Sequence, residues 1–258
     1  MNLPRWTLLV LVLASGCQPA APPSSSPSAA TPDIRPTAAP VGAQCLAWVI
    51  DDLTVAWPDN HAINIVAFGH SVPAGYGRTP QVQKTDAYPR LLEDALAAAY
   101  PHAVLNVITS GVGGENSTQG RTRFQRDALD HHPRVVLIDY GLNDRSLPLA
   151  ESERNLTDLI GRARSAGACP VLMTPTWDEQ AHPERQDDPL RIQADMIAGL
   201  GARLQVPVAD NLASFLHFKG DRSRLMAQSN HPNRQGHALV ARNLADLFAP
   251  PAAAPANR

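Results

Sequence analysis

Four short blocks of this sequence carry groups that could act together in chemistry. Ser71 supplies a hydroxyl, Gly114 lies in a glycine-rich turn, Asn143 supplies an amide and His231 supplies an imidazole. A serine hydroxyl is a weak nucleophile until a base accepts its proton, and imidazole titrates nearest to neutral pH. The four blocks therefore indicate nucleophilic chemistry, provided that the fold brings them to one place.

The segments between these blocks alternate between two hydrophobic patterns. Short apolar runs rich in β-branched residues predict buried strands, and apolar residues at helical spacing predict amphipathic helices. Strands joined through helices form parallel sheets, so we expect an α/β protein. It is predicted to be a three-layer α/β/α sandwich with a mostly parallel, about five-stranded flavodoxin-like sheet. The predicted strands are 63–68, 104–108, 135–140, 171–174 and 206–209, and the predicted helices are 88–100, 117–129 (with Ser117 as N-cap), 151–166, 190–204 and 233–248.

The position of the four blocks along the chain suggests a common site. Ser71, Gly114 and Asn143 each follow a predicted strand, and His231 follows the last one. Ligands of open parallel sheets bind beside the carboxyl ends of the strands. We therefore expect all four residues at that edge of the sheet.

The same blocks resemble those of the SGNH (GDSL-like) hydrolase superfamily, and the resemblance covers nearly the whole domain. Its first block is Gly-Asp-Ser, its third is Gly-x-Asn-Asp and its fifth contains His-Pro-Asn-x-x-Gly, with a glycine after the second strand. The matching residues here are Gly69-His70-Ser71, Gly114 with Gly120, Gly141-Leu142-Asn143-Asp144, and His231-Pro232-Asn233 with Gly236.

This resemblance implies a serine esterase that works through an acyl-enzyme. Ser71 would be the nucleophile and His231 the base, while the backbone N–H groups of Ser71 and Gly114 and the side chain of Asn143 would form an oxyanion hole. The substrate would be an acyl ester of a carbohydrate or small molecule, and the acyl group expected is O-acetyl. No metal and no organic cofactor is implied.

Two positions depart from the family pattern. His70 and Gln228 each stand where the family has aspartate. His70 stands beside the expected nucleophile and is not itself the nucleophile, so we expect esterase activity to persist. Gln228 stands where a carboxylate usually orients the histidine, so we expect a Ser71–His231 dyad oriented by the backbone carbonyl of Gln228. The side chain of Gln228 is an alternative acceptor, as is a carboxylate from elsewhere in the chain: Asp187, Asp188 or Asp221.

The first 43 residues predict export and tethering. Residues 1–16 combine a basic start with a short apolar run, as in a secretory signal peptide. The run ends in Leu13-Ala14-Ser15-Gly16-Cys17, which resembles a bacterial lipobox, although an ordinary signal peptide with a chance cysteine is an alternative. We expect lipidation of Cys17, anchoring in the cell envelope (the outer membrane in a Gram-negative source), a disordered Pro/Ala/Ser linker over 17–43, a domain over 44–248 and a disordered tail over 249–258.

Composition limits the other functions that this chain could have. Hydrophobic residues make up 44% and charged residues 18%, which excludes a wholly disordered chain, and the net charge of −2 offers no basic field for nucleic acid. A catalytically weak or inactive carbohydrate-binding lipoprotein of the same fold is the main alternative. A nucleotide- or flavin-binding protein is a further alternative, but this sequence has no glycine-rich phosphate-binding motif to support it. A metal site at His231 and His237 is another alternative, but no nearby residues complete the set of ligands.

Two features are left open by the sequence. Cys45 and Cys169 either pair in an oxidising compartment or remain separate thiols. The segment around Trp177 and Asp178 is either a plain surface loop or part of a substrate cleft.

Overall fold

A five-stranded parallel sheet forms the centre of the protein. The structure is a computed structural model and describes residues 44–249. The strand order is β2-β1-β3-β4-β5, every pairing is parallel, and the carboxyl ends of β1, β2 and β3 lie level, because Gly69 pairs in register with both Gly111 and Asp139. The strands are β1 (Ala62–Gly69), β2 (Val104–Gly111), β3 (Val135–Asp139), β4 (Cys169–Met173) and β5 (Val208–Ala209).

Helices cover both faces of this sheet, which confirms the three-layer α/β/α prediction. One apolar core lies between the sheet and α1, α3, α8 and α9, and a second lies between the sheet, α4 and α6, while α7 contributes to both. The helices are α1 (Gln44–Thr54), α2 (Ser71–Ala74), α3 (Tyr88–Ala99), α4 (Ser117–Asp127), α5 (Gly141–Asp144), α6 (Leu149–Ser165), α7 (Pro189–Leu204), α8 (Asn211–Leu216) and α9 (Arg234–Leu247).

Helix α1, the three short helices α2, α5 and α8, and a hairpin before α9 were not predicted. Helix α1 buries one apolar face against the core, and its Cys45 forms a disulfide with Cys169 at the start of β4, with the two Cα atoms 5.5 Å apart. This settles the open question about these two thiols in favour of pairing. A short antiparallel hairpin, β6 (Met226–Gln228) and β7 (His231–Pro232), precedes α9. It carries few apolar residues, so no hydrophobic pattern marks it.

Element boundaries shift by a few residues where polar groups decide them. Ser117 was expected to cap its helix, but Asn116 is the N-cap and forms a reciprocal capping box with Gln119. The same helix ends at Asp127, and a separate 3-10 turn over Leu129–His131 follows.

Nothing in the structure tests the predicted signal peptide, Cys17 lipidation or linker, because these lie outside residues 44–249. Among the helices of that part of the chain, none has both the length and the apolar character needed to cross a membrane. Within the same residues, no three His, Cys, Asp or Glu side chains are grouped so that they could hold a metal ion.

Candidate active site

Ser71 lies at the first position of α2, directly after the carboxyl end of β1. The strand ends at Gly69, and His70 caps the helix by accepting the Val72 N–H at its Nδ1 atom. Ser71 is only 5% exposed. The tight strand–turn–helix connection therefore holds the serine at the edge of the sheet where ligands of such folds bind.

His231 begins β7 and reaches across to this serine. Its Nε2 lies 2.9 Å from the Oγ of Ser71, although the two residues are 160 positions apart. His231 is 6% exposed. The geometry is that of a hydroxyl in hydrogen-bond contact with a base.

A backbone carbonyl and an amide share the other nitrogen of His231. The Nδ1 atom lies 3.0 Å from the Gly77 carbonyl oxygen and 2.9 Å from the Nε2 of Gln228. The expectation that the carbonyl of Gln228 itself fills this role is wrong. The left-handed Gly75 (φ +90°) ends α2 and turns the chain so that Gly77 is positioned beside the histidine.

The orientation of the Gln228 amide follows from Thr79. The backbone N–H of Thr79 can only donate, and it lies 2.9 Å from Gln228 Oε1, while Gln228 Nε2 donates to Thr79 Oγ1 at 2.9 Å. The amide therefore presents nitrogen, not oxygen, to His231. The side chain of Gln228 is thus not the acceptor that the sequence interpretation allowed.

The three distant carboxylates that were considered as substitutes lie elsewhere. Asp187 forms an exposed ion pair, Asp188 caps α7, and Asp221 caps a 3-10 turn. None of the three is among the hydrogen-bond partners that His231 has within residues 44–249.

Asn143 contacts the turn that contains Gly114, just before α4. Asn143 donates from Nδ2 to the backbone oxygen of Glu115 at 2.8 Å, which leaves its second amide hydrogen free for another acceptor. Gly114 adopts φ +77°, and a Cβ at this residue would meet open space, so the need for glycine is conformational. Asp144, next to Asn143, accepts the N–H of Ser117 and so fixes α5 to the start of α4.

A buried carboxylate joins the Asn143 and His231 segments. The Oδ2 of Asp178 contacts Arg145 at 2.5 Å, just after α5, and its Oδ1 accepts from the hydroxyl of Ser229 at 2.6 Å, two residues before His231. Asp178 is 2% exposed. The loop after β4 therefore acts as internal scaffold at this residue and is not a plain surface loop there.

A second buried network lies under the glycine turn. Arg123 of α4 donates to both carboxylate oxygens of Glu115, to the Gly69 carbonyl at 3.0 Å and to the side chain of Ser110. Tyr140 donates to Glu115 at 2.7 Å. One guanidinium thus joins the ends of β1 and β2 to the turn that holds Gly114.

Burial sets the protonation of the candidate base. It lowers the pKa of His231, and His70 lowers it further, while the Gly77 carbonyl and the charge of Asp178 oppose the change. His231 is therefore neutral at pH 7 and able to accept a proton.

Sequence reasoning gave no role to Asp139, Glu115 or Arg123, and it singled out Asp178 without predicting the contacts that Asp178 makes. A signal was present for Asp139, since it is a charged residue that ends a strand of otherwise apolar residues, Val135–Asp139. The contacts of the other three carried no local signal, because their partners come from separate elements. Gly120 was noticed for its spacing, and the structure supplies a reason: a Cβ there would lie 2.2 Å from the Tyr140 hydroxyl.

The fold and these contacts define the class of protein. A three-layer α/β/α sandwich with serine and histidine in contact at the carboxyl edge of a parallel sheet is the arrangement of the SGNH hydrolases. The model of the GDSL-like lipase/acylhydrolase family matches residues 67–239, more than half of the chain, and the chain belongs to that family.

Curated relatives match over part of their length. The chain is 31% identical over 123 residues to an uncharacterized lipoprotein of Bacillus subtilis, covering 43% of this chain and 47% of the relative. It is 29% identical over 114 residues to thioesterase 1/protease 1/lysophospholipase L1 of Escherichia coli, covering 43% and 50%. The chain therefore spans about half the length of the curated relatives it matches.

Solved structures match the fold over most of the domain. A lipase/acylhydrolase from Enterococcus faecalis has a TM-score of 0.61 at 24% identity, with 71% of this chain and 94% of that chain covered. A catalytic mutant of an acetylxylan esterase from Geobacillus stearothermophilus has a TM-score of 0.62 at 19% identity, with 76% and 96% covered.

Proposed function

We propose that this protein is a serine esterase in which Ser71 is the nucleophile and His231 the general base. The observation that carries the proposal is the 2.9 Å contact between Ser71 Oγ and His231 Nε2 at the carboxyl edge of the sheet. Membership of the GDSL-like lipase/acylhydrolase family supports the reaction class.

The proposed cycle has two halves. Ser71 Oγ attacks the ester carbonyl while His231 Nε2 takes its proton; the tetrahedral intermediate collapses and His231 returns that proton to the departing alcohol. Water then attacks the acyl-serine, His231 takes a proton from it, and Ser71 recovers its hydrogen as the acid leaves. The Gly77 carbonyl holds the Nδ1 hydrogen throughout, which keeps Nε2 free to act.

The backbone N–H groups of Ser71 and Gly114 and the side chain of Asn143 form the proposed oxyanion hole. One contact and one position in the fold support this. The Asn143 amide is fixed by Glu115, next to Gly114, and Ser71 is the first residue of a helix, where backbone N–H groups lack helical partners. Such donors act on the negative charge that develops on the carbonyl oxygen.

The proposed substrate is an acyl ester. In its most specific form, the proposal is an O-acetyl ester of a carbohydrate. The structural likeness to an acetylxylan esterase supports this choice. No metal or organic cofactor takes part in the proposed chemistry.

We also propose that the protein is exported and lipid-anchored at Cys17. The lipobox-like residues before Cys17, the lipoprotein relative and the Cys45–Cys169 disulfide, a bond typical of exported proteins, support this location. Cell fractionation tests it: Cys17→Ser should leave the membrane fraction or stay unprocessed. Unchanged membrane association of a correctly processed variant would contradict it.

One observation favours a second candidate function. The amide nitrogen of Gln228 faces His231 where a carboxylate would assist the base, which suits a carbohydrate-binding lipoprotein with weak or no activity. Such a protein would bind acetylated oligosaccharides without releasing acetate.

Active-site labelling separates the two candidates. A fluorophosphonate probe should label the wild type and fail to label Ser71→Ala, and acetylated xylo-oligosaccharides should release acetate only with the wild type. Ser165→Ala is the matched control, because this exposed serine ends α6 just before the start of β4. It therefore lies at the opposite edge of the sheet from the site. A wild type that binds sugar but neither labels nor releases acetate would support the binding protein.

A further inference from the structure

A second imidazole lies against Ser71. His70 is fully buried, and its Nδ1 lies 3.4 Å from the Oγ of Ser71 and 3.3 Å from the backbone nitrogen of Val72. The proposed mechanism does not use this side chain. Ser71 therefore lies between two histidines, of which only His231 has been given a role.

The contacts of His70 fix where its hydrogen is. The Val72 N–H can only donate, so Nδ1 of His70 must be the nitrogen without a hydrogen. The hydrogen is then on Nε2, which lies 3.4 Å from Asp139 Oδ1 and has no hydrogen-bond partner among the described residues. Asp139 Oδ1 is therefore close enough to attract this N–H electrostatically, although the two are outside hydrogen-bond geometry.

Asp139 is held in place for this contact. It ends β3, pairs in register with Gly69 and is 3% exposed. Its other oxygen, Oδ2, accepts from the Tyr88 hydroxyl at 3.2 Å. The carboxylate therefore has a hydrogen bond on Oδ2 and the Nε2 atom of His70 close to Oδ1.

We propose that Asp139 and His70 form a positioning pair for Ser71. Asp139 holds His70 in the tautomer with hydrogen on Nε2. The bare Nδ1 then accepts the Val72 N–H and caps α2, which fixes the backbone that carries Ser71 and its N–H. Because this nitrogen can only accept, it leaves the single hydrogen of the Ser71 hydroxyl to His231. This inference rests on the proposed role of Ser71 as nucleophile.

Repulsion between Asp139 and a second carboxylate introduced at position 70 provides the test. His70→Asp places a second carboxylate beside Asp139 in a buried site, where two like charges oppose each other. Aspartate is otherwise a good helix cap, so removing the first charge with Asp139→Asn should rescue it. The pair predicts that the double variant is more active than His70→Asp alone.

Fluorophosphonate labelling rate and the kcat and KM for a soluble acetyl ester are the measurements. We expect His70→Asp to lower kcat and the labelling rate by about 100-fold with little change in KM, because small displacements of a reacting group have effects of this order. His70→Asp with Asp139→Asn should recover to within about tenfold of the wild type. Thermal melting and circular dichroism establish which variants are folded.

His70→Asn keeps the assay informative if His70→Asp fails to fold. Its side-chain oxygen can accept the Val72 N–H without a charge, but the shorter side chain leaves Asp139 without the imidazole Nε2–H beside it. We therefore expect a folded protein with a labelling rate about tenfold lower. Ser165→Ala is the control here too, since this exposed serine at the end of α6 has no contact with His70 or Asp139 within the described residues, and its kcat and labelling rate should equal those of the wild type.

The outcomes separate this inference from the proposed function. If Ser71→Ala labels as well as the wild type, Ser71 is not the nucleophile and both ideas fail. If labelling depends on Ser71 but His70→Asp and the double variant are equally slow, or if His70→Asn and His70→Asp both label at the wild-type rate, the positioning pair is wrong and the esterase proposal stands.

Discussion

The carbonyl oxygen of Gly77 lies 3.0 Å from Nδ1 of His231, across 154 residues of sequence. A carbonyl can only accept, so this contact favours the tautomer with hydrogen on Nδ1 and Nε2 free for Ser71. The Gln228 amide nitrogen at 2.9 Å opposes it, because an N–H donor facing Nδ1 favours the other tautomer. The rate of the proposed reaction thus depends on which neighbour determines the tautomer.

Removal of the Gln228 amide tests this balance. Gln228→Ala removes the opposing N–H and leaves the Gly77 carbonyl in place, so kcat for an acetyl ester should stay the same or rise, whereas His231→Ala removes the base and should lower kcat by about 10³-fold or more. Steady-state kinetics of the two purified variants gives both values. A loss in Gln228→Ala as large as that in His231→Ala would show that the Gly77 carbonyl does not orient the base.

The pH dependence of kcat/KM reports the pKa of His231. Since burial lowers this pKa and only the neutral imidazole accepts a proton, kcat/KM should rise through a pKa below about 6.5 and stay level above it. Gln228→Glu adds a negative charge beside Nδ1 and should move the acidic limb to higher pH, while the uncharged Gln228→Ala should leave it nearly unchanged. A wild-type limb above pH 7 would contradict the assignment.

Asn143 is expected to act on the transition state more than on the substrate. Asn143→Ala should lower kcat by about 10²–10³-fold with a smaller change in KM. The backbone oxygen of Glu115 loses its partner in this variant, so thermal melting is measured alongside. A raised KM at unchanged kcat would move Asn143 to ordinary substrate binding.

The ion pair between Arg123 and Glu115 should matter for stability. Arg123→Met leaves a buried carboxylate unpaired and should lower the free energy of unfolding by about 3–5 kcal/mol, and adding Glu115→Gln should restore part of it. Arg126→Met is the control on the same helix, because its ion pair is exposed and screened by solvent and should contribute much less. Urea denaturation measures all three, and equal losses for Arg123→Met and Arg126→Met would refute the prediction.

His237 should make the fold sensitive to acid. Burial lowers its pKa to about 4, below the value of about 6.5 in an unfolded chain. The folded state therefore resists protonation, so stability is complete above pH 6.5 and falls as the pH drops toward 4, by up to roughly 3 kcal/mol.

His237→Gln provides the comparison for this acid sensitivity. Its side-chain oxygen can still accept the Tyr88 N–H, which His237 Nδ1 accepts at 3.2 Å. Urea titrations at pH 7, 5.5 and 4 should give a flatter stability curve for the variant. Parallel curves for the two proteins would place the acid sensitivity elsewhere.

What could be predicted from the sequence follows the range of the interactions. The strands and long helices were predicted because each carries its own hydrophobic period, and Val135–Asp139 is apolar in nearly every position. The pairing of Ser71 with His231 as nucleophile and base came from resemblance, and the structure places them in contact while leaving their roles to the labelling experiment. The partner of His231 was predicted wrongly, because any residue has a carbonyl and nothing in the sequence distinguishes that of Gly77. The contacts of Arg123 and Asp178 were not predicted for a related reason: each side chain bonds to residues of separate segments, and no local window of sequence contains these partners.

The Cys45–Cys169 bond determines how a pulling force would enter this domain. Cys45 is the second described residue of the chain, and Cys169 begins β4, which pairs with β3 and β5 inside the sheet. A pull along the chain that precedes Gln44 passes through the two sulfurs directly into this inner strand. Helix α1 carries almost none of that tension and is not peeled from the core. A force applied from the amino-terminal side is therefore borne by the central sheet, which lies between the two layers of helices.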